Sequence, residues 1–311
     1  MSASRIATCT LFEGDYHKGV AALANSLVRS GFNGQFWIGY RGPRPQWVAL
    51  AEPQQGYSSL TLPNGLVLCF VELDTPAHFS HYKPYWCERV LQELAPDTDA
   101  VLYLDPDLFI LCQWDFFESW IGDGIACCED SHLPLNPTHP IARRWERFAT
   151  GIGLTLYRSA EACLNSGLVG ITRANIGFLK TWQTVLAQAH EQFTIRNDLK
   201  SGNRTDLFHN VDQDALNVAI LATPCPISRM GLDGMGFDRG EWATVHAVGQ
   251  KPWRRRILRD LIVDGSPPDR TLRLYWKYAN GPIYAEPPLR KLAARILTPV
   301  AALIGRFYRR G

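Results

Sequence analysis

The stretch Val101-Leu-Tyr-Leu-Asp105-Pro-Asp107-Leu-Phe109 constrains this chain more than any other. Four residues of β-forming, apolar character run straight into two carboxylates one residue apart, the pattern of a buried parallel strand that ends at a functional edge. Open α/β sheets bind their ligands at such carboxyl ends. An Asp-x-Asp pair placed there offers hard oxygen ligands to a divalent cation, which in turn neutralises a diphosphate. The same pair also fits a turn with an Asx motif and a solvated second Asp. The local run alone does not decide between them.

The surrounding chain alternates strand and helix patterns. Arg5 to Thr10 reads as a first strand. The helix that follows places Val20, Leu23, Ala24, Leu27 and Val28 on one face, with Asp15 as N-cap and Gly31 as its stop. Strand patterns follow at Gln35 to Tyr40 and Leu66 to Val71, then a helix over Tyr82 to Leu94 that leads through Pro96-Asp97 into the Asp-Pro-Asp strand. Beyond it come a short helix over Trp114 to Trp120, strands at Gly124 to Glu129 and Leu164 to Ile171, and helices from Ala174 to Gln192 and from Asp212 to Leu221. The stretch from Asp130 to Pro140 carries three prolines and two histidines, a loop of the kind that covers active sites. His132 and His139 read as ligands, as acceptor-contacting groups or, more simply, as surface histidines. Alternating strands and helices imply an α/β fold with a Rossmann-like, mainly parallel central sheet and right-handed crossovers.

Composition narrows the class. With 46% hydrophobic and 20% charged residues over 311 positions, the chain is an ordinary globular protein with ample surface to bury. The net charge of +2 hides an asymmetry, because Pro288 to Gly311 holds six basic residues and no acid, and Lys251 to Arg259 forms a second basic knot. The remainder is acidic on balance, which excludes a general nucleic-acid binder. Eight cysteines lack metal-ligand or disulfide-framework spacing and read as buried, reduced thiols. Met-Ser-Ala-Ser-Arg lacks the regions of a secretory signal, and no apolar run reaches the length of a membrane span. A cytoplasmic protein is expected.

Four further stretches carry chemistry. Asn165-Ser166-Gly167 sets small polar groups in an apolar strand, where they are costly unless bonded. Asn210-Val-Asp212-Gln213-Asp214-Ala-Leu-Asn217 opens a helix with carboxylates. Capping and dipole complementation account for one Asp but not for Gln213 and Asn217. Val245-His246-Ala-Val-Gly249-Gln-Lys251-Pro252-Trp253 holds a histidine at a strand end, a flexible glycine and a lysine. Asp105, Asp107 and His246 together form an O,O,N set suited to manganese. Tyr16 opens the first helix, where an aromatic either stacks on a base or packs.

Taken in order, these pieces resemble the retaining GT-A glycosyltransferases of family 8, which includes glycogenin and bacterial lipopolysaccharide galactosyltransferases. The matches are Asp-x-Asp after a Leu-Tyr-Leu strand, Asn-Ser-Gly, Asp-Gln-x-x-Leu-Asn, and His-x-x-Gly before Lys-Pro-Trp, within residues 8 to 253. The resemblance implies a nucleotide-binding GT-A domain over residues 1–260, a Mn2+ (or Mg2+) ion, and a nucleotide-sugar donor, usually a UDP-sugar, whose sugar passes to an acceptor hydroxyl with retention. It implies Asp105, Asp107 and His246 as metal ligands and Tyr16 on the base, with Thr8 and Thr10 lining the base pocket. Lys251 falls on the diphosphate contact, with Gly249 giving its loop close approach. Asn165 and Ser166 fall on donor-sugar contacts, Asp212 and Gln213 beside the anomeric carbon, and Lys83 on a basic donor contact. The chain departs from the family pattern in having one residue, Gln250, between Gly249 and Lys251, extra residues between Thr10 and Tyr16, and a displaced Lys83.

Residues 261–311 form a C-terminal extension. Placed on a helix, its last part gathers Leu289, Leu292, Ile296, Val300, Leu303, Ile304 and Phe307 on one side and Lys291, Arg295, Arg306, Arg309 and Arg310 on the other, with a kink at Pro299. A basic amphipathic helix of this kind suits an anionic membrane surface, and docking on the domain is the alternative. Membrane attachment fits a glycan or lipid-linked acceptor and a protein peripheral on the inner face of the membrane. Rival functions are a phosphohydrolase of the haloacid dehalogenase type, a sugar nucleotidyltransferase, and a non-catalytic nucleotide-sugar-binding protein. The first expects a Thr where this chain has Phe109.

Overall fold

The structure, a computed structural model, describes residues 5–193, 195, 198, 200–238 and 240–307. Arg309 and Arg310 of the tail, and the first four residues, lie outside the described residues. Among the described residues there are eleven strands: β1 (Ile6–Glu13), β2 (Gln35–Arg41), β3 (Glu52–Gln54), β4 (Tyr57–Thr61), β5 (Val67–Glu72), β6 (Ala100–Leu104), β7 (Leu108–Ile110), β8 (Ile125–Glu129), β9 (Leu164–Thr172), β10 (Ile227–Met230) and β11 (Thr244–His246). The helices are α1 (His17–Ser30), α2 (Phe79–Arg89), α3 (Trp114–Gly122), α4 (Pro140–Gly151), α5 (Gly177–Gln192), α6 (Val211–Leu221), α7 (Ile257–Ile262), α8 (Arg270–Tyr278) and α9 (Pro288–Ile304).

Nine strands form one sheet in the order β10-β8-β9-β6-β1-β2-β5-β4-β3, and β11 pairs with β7 in a small second sheet. The pairings β1–β2, β1–β6, β2–β5 and β8–β10 are parallel. The reversed strands are β9, antiparallel to both β6 and β8, and β4, antiparallel to β5 and β3. The mainly parallel α/β sheet expected from the sequence is therefore present. The β3–β4 hairpin and α4 are additions to it.

Burial follows from the strand patterns. Residues 100–104 are buried throughout, so Val101 and Tyr103 face one core layer and Leu102 and Leu104 the other. Trp37, Trp86, Trp145 and Trp182 are fully buried, each worth about 1.5–3 kcal/mol or more in transfer free energy. Helix α1 ends where Gly31 adopts φ 92°, the left-handed conformation that favours glycine. Its start differs from expectation. Tyr16 takes the N-cap position without a side-chain bond, and Asp15 lies in the preceding turn. There the Asp15 carboxylate accepts two hydrogen bonds from Arg254, at 2.7 and 2.5 Å. Helix α2 starts earlier than Tyr82, because the His78 ring accepts a hydrogen bond from the Ser80 N–H and caps it. The cap of α4 is His139, whose Nδ1 accepts from the Ile141 N–H.

A third core cluster joins Ala22 of α1, Phe109 and Val245 to Trp253, Leu261, Leu272, Tyr275, Tyr278, Ala294 and Ala301. Asn25 of α1 locks this side, donating to the carbonyls of Tyr278 and Ile283 and accepting from the Ile283 N–H, at 2.7–2.8 Å. The buried Glu286 carboxylate accepts from Tyr275 and Arg290 and pairs with Lys18, while Arg290 donates to the Trp253 carbonyl. Helix α9 docks through its small face, Ala294, Thr298 and Ala301, and Pro299 falls within it. Most of its large apolar residues stay outside: Leu289 is 81% exposed, and Leu292, Ile296, Val300, Leu303 and Ile304 are exposed with it, as is Phe307 in the turn that follows.

Candidate active site

Strand ends and helix starts converge on a cavity of about 470 Å³. It is lined by Tyr16, Lys83, Asp105, Asp107, Asn165, Ser166, Asp212, Gln213, His246, Gly249 and Lys251, and also by Asp130, His132 and Lys200. The structure thus brings eleven of the thirteen sequence-derived site residues together. Thr8 and Thr10 are not among them. Both are fully buried inside β1, and because that strand continues to Glu13, its cavity-facing residues are Leu11, Phe12 and Glu13.

Asp105 follows β6, Asp107 precedes β7, and His246 closes β11, so the pairing of β7 with β11 sets the histidine against the two carboxylates. One ligand atom from each of the three lies within 4.8 Å of the others. His246 Nε2 is 3.2 Å from Asp107 Oδ1 and 3.7 Å from Asp105 Oδ2. Gly167 leaves this space open, since a Cβ there would meet Asp105 Oδ2 at 2.7 Å and His246 Cε1 at 2.9 Å. Two carboxylate oxygens and one imidazole nitrogen facing a common point fit a divalent cation of the manganese or magnesium type. Burial works against protonating His246, but the Asp107 and Asp105 carboxylates outweigh it and hold its affinity for a proton above the ordinary value. That is the electrostatic signature of a position built for positive charge.

Two lysines balance the carboxylates. Lys251 Nζ donates to Asp107 Oδ2 at 2.5 Å and to the Ala247 carbonyl at 2.9 Å. The turn before it depends on Gly249 at φ +78°. Lys83, with its side chain 5% exposed, lies 3.1 Å from Asp105 Oδ1 and 2.8 Å from Asp212 Oδ2. It also donates to the Ser166 carbonyl and hydroxyl, both at 3.2 Å. Burial disfavours its charge, yet the two carboxylates reverse the effect and keep it an ammonium. Asp212 responds in kind: burial raises its carboxyl, Lys83 and the Ser166 hydroxyl lower it, and the net shift is downward.

The sequence left several partners unassigned. Tyr103 donates to Asp105 Oδ1 at 3.0 Å, a contact foreshadowed by their two-residue spacing on one strand face. Asn165 Nδ2 donates to Asp130 Oδ2 at 2.5 Å and to Gln213 Oε1 at 3.2 Å. Ser166 Oγ donates to Asp212 at 2.6 Å, so the polar groups of β9 are bonded as their burial requires. Capping of α6 falls to Asp214, which accepts from the Asn210 N–H. Burial raises its carboxyl well above the usual range, so Asp214 takes up a proton before Asp212 does. Asn217 accepts from the Leu164 N–H and donates to the Leu164 carbonyl, stitching α6 to the start of β9. Tyr16 packs edge-on against Trp253 with centroids 5.3 Å apart, and the Arg254 guanidinium lies 5.3 Å from its ring. His132 lines the cavity; His139 does not.

No protein-family profile and no curated protein sequence matches the chain. Solved structures do. The glycosyltransferase GlyE of Streptococcus pneumoniae TIGR4 superposes over 99% of this chain with a TM-score of 0.54 at 15% identity. An active-site mutant of LgtC superposes over 91% with a TM-score of 0.52 at 17% identity. The galactosyltransferase LgtC in complex with donor and acceptor sugar analogues does so over 91%, at 0.51 and 17%. The chain has a GT-A fold. It spans 98% of either LgtC chain and 65% of GlyE.

Within this GT-A fold the buried lysine is the most exacting element. Replacing Lys83 with Met leaves Asp105 and Asp212 without their shared cation. Unfolding in urea is expected to show a loss of about 3–5 kcal/mol, the usual effect of removing one partner of a buried ion pair. Stability within about 0.5 kcal/mol of the parent would mean that Lys83 does not hold the site together.

Proposed function

We propose that this protein is a glycosyltransferase that moves a sugar from a nucleotide-sugar, a UDP-sugar by preference, to an acceptor hydroxyl with retention at the anomeric carbon, in a reaction that requires Mn2+ or Mg2+. The observation that carries the reading is the meeting of Asp105, Asp107 and His246 at one point of a cavity in a GT-A fold. The catalytic domain is assigned to residues 1–260 and the extension to 261–311. LgtC has been crystallised with donor and acceptor sugar analogues, which supports a nucleotide-sugar and a glycan as the two ligands of this cavity.

Each side chain has a task. Asp105, Asp107 and His246 hold the cation, which when bound neutralises the diphosphate as it departs. Lys251 adds a second positive charge for that leaving group, and Tyr16, braced by Trp253, offers its ring to the base. Asn165 and Ser166 position the donor sugar. Asp212, kept anionic by Lys83, stands with Gln213 beside the anomeric carbon, where a carboxylate stabilises oxocarbenium-like charge.

Screening nucleotide-sugars for release of nucleoside diphosphate is expected to find one whose turnover stops with chelator. Asp107→Ala is expected to lower kcat/KM at least about a hundredfold, about 2.7 kcal/mol, with the fold intact. Full activity of that variant together with indifference to chelator would remove the proposal, and release of pyrophosphate instead would identify a nucleotidyltransferase.

The extension carries a second part of the proposal, attachment to an anionic membrane surface that presents a lipid-linked or lipopolysaccharide acceptor. No helix among the described residues is long and apolar enough to cross a membrane. The exposed apolar row of α9, from Leu289 to Phe307, supports contact in the interface plane. The intact protein is expected to co-sediment with phosphatidylglycerol-containing liposomes, and a variant combining Leu292→Glu, Ile296→Glu and Val300→Glu to remain in the supernatant. Equal partitioning of the two refutes it.

A further inference from the structure

The cavity has two ends. From Tyr16 the contacts pass to Lys251 and Asp107, through the Asp105–His246 cluster to Lys83 and Asp212, and by Gln213, Asn165 and Asp130 to His132. The far end sets a lysine beside the Asp130 carboxylate. Lys200 lines the cavity there with Asp130, Ser131 and His132. The His132 and His209 rings stack with centroids 6.2 Å apart. Burial is the main reason that His132 resists protonation, and Lys200, Arg204 and His209 add to it against Asp130.

This segment is held in place. Lys200 pairs with Asn210 in a β-bridge, and the Ser201 N–H donates to the His209 carbonyl at 2.8 Å. Arg144 and Trp145 of α4 donate to the carbonyls of Thr205 and Leu207 at 2.7 and 3.0 Å. The lysines deeper in the cavity, Lys83 and Lys251, are both matched to carboxylates. Lys200 has no carboxylate partner among the described residues.

An exposed ammonium on a cavity wall, without a carboxylate partner among the described residues and carried on a backbone held by the Lys200–Asn210 bridge, is a place for a ligand's negative charge. The donor's diphosphate belongs at the other end, beside the metal cluster and Lys251. The donor's sugar is separated from Lys200 by Asp130, whose two oxygens are held by the His132 N–H at 2.6 Å and by Asn165. A negative group on that sugar would face this carboxylate. We propose that the acceptor is an anionic saccharide, with a carboxylate or a phosphate near the hydroxyl to be glycosylated, and that Lys200, beside His132 on the cavity wall, selects it. This rests on the glycosyl-transfer reading above. In the step itself the acceptor oxygen bonds to the anomeric carbon, the bond from that carbon to the diphosphate oxygen breaks with its electron pair leaving on the diphosphate, and the hydroxyl proton passes to a diphosphate oxygen.

The test compares matched saccharides, methyl glucoside with methyl glucuronide and glucose with glucose 6-phosphate, together with their galactose counterparts. Full-length protein, Lys200→Ala and Lys200→Arg are each loaded with manganese and UDP for binding, or supplied with the best donor for turnover. The acidic member of a pair is expected to bind and react better than its neutral partner, with the advantage fading at about 1 M salt, where screening acts within about 3 Å. The uronic acid and phosphate arms show which anion is preferred. Lys200→Ala is expected to cut the acidic-to-neutral preference about fivefold through KM, the scale of an accessible ion pair, and Lys200→Arg to keep it. A protein that releases diphosphate but favours no acidic member, or keeps the preference in Lys200→Ala, overturns the inference. Absence of diphosphate release from every nucleotide-sugar instead removes the transferase reading, and the inference falls with it.

Discussion

Lys83 brings a full positive charge into a place nearly closed to water. An isolated ion there would cost several kcal/mol. The surroundings offset this with two carboxylates, a hydroxyl and a backbone carbonyl drawn from β6, β9 and α6. The consequence is architectural. Helix α2, the end of β6, the polar start of β9 and the first turn of α6 are fixed to a single atom, and the two halves of the cavity cannot move apart without exposing unpaired charge. The same lysine keeps Asp212 ionised and leaves Asp105 one side free to face His246. The Asp105–Asp107–His246 cluster and the Asp212 carboxylate are therefore coupled through one side chain.

The extension plays a comparable part at the other end. Arg290 bonds the carbonyl of Trp253, Glu286 gathers Arg290, Tyr275 and Lys18, and Trp253 in turn backs Tyr16. The aromatic assigned to the base is thus supported from residues far along the chain. Helix α9 presents small residues to the domain and large ones to the outside. Docking on the domain, one of the two sequence alternatives for the tail, is present, and membrane attachment, the other, is a proposal.

Much of this was readable in the sequence because period-2 and helical patterns mark buried elements directly. The apolar run ending at Asp105, the α1 face and the Gly31 stop all follow from local chemistry. Strand direction does not. An apolar run such as Leu164–Thr172 reads the same whether parallel or antiparallel, so the reversal of β9 carries no local sign. The β3–β4 hairpin escaped notice because its residues are exposed or half-buried, without a clear alternating pattern. Proline and histidine around residue 139 read as loop, although His139 followed by Pro140 is a workable helix start. In the site, residue types with chemical reach were visible, and their partners were not. Asp130 on Asn165 and Arg254 on Asp15 are settled by packing across long separations. Thr8 and Thr10 lie buried inside β1, which runs farther than its most apolar segment and brings Leu11, Phe12 and Glu13 to the cavity.

In the proposed function, Asp105, Asp107 and His246 are three ligands of a shell that a nucleotide diphosphate completes. The most direct test is calorimetric titration of Mn2+ with and without UDP, together with UDP with and without Mn2+. Completion of the shell predicts that each tightens the other's binding at least about tenfold, by the same factor in both directions, and that Asp107→Ala abolishes the coupling. UDP that binds equally well in the presence of chelator, with Mn2+ affinity indifferent to UDP, would contradict it.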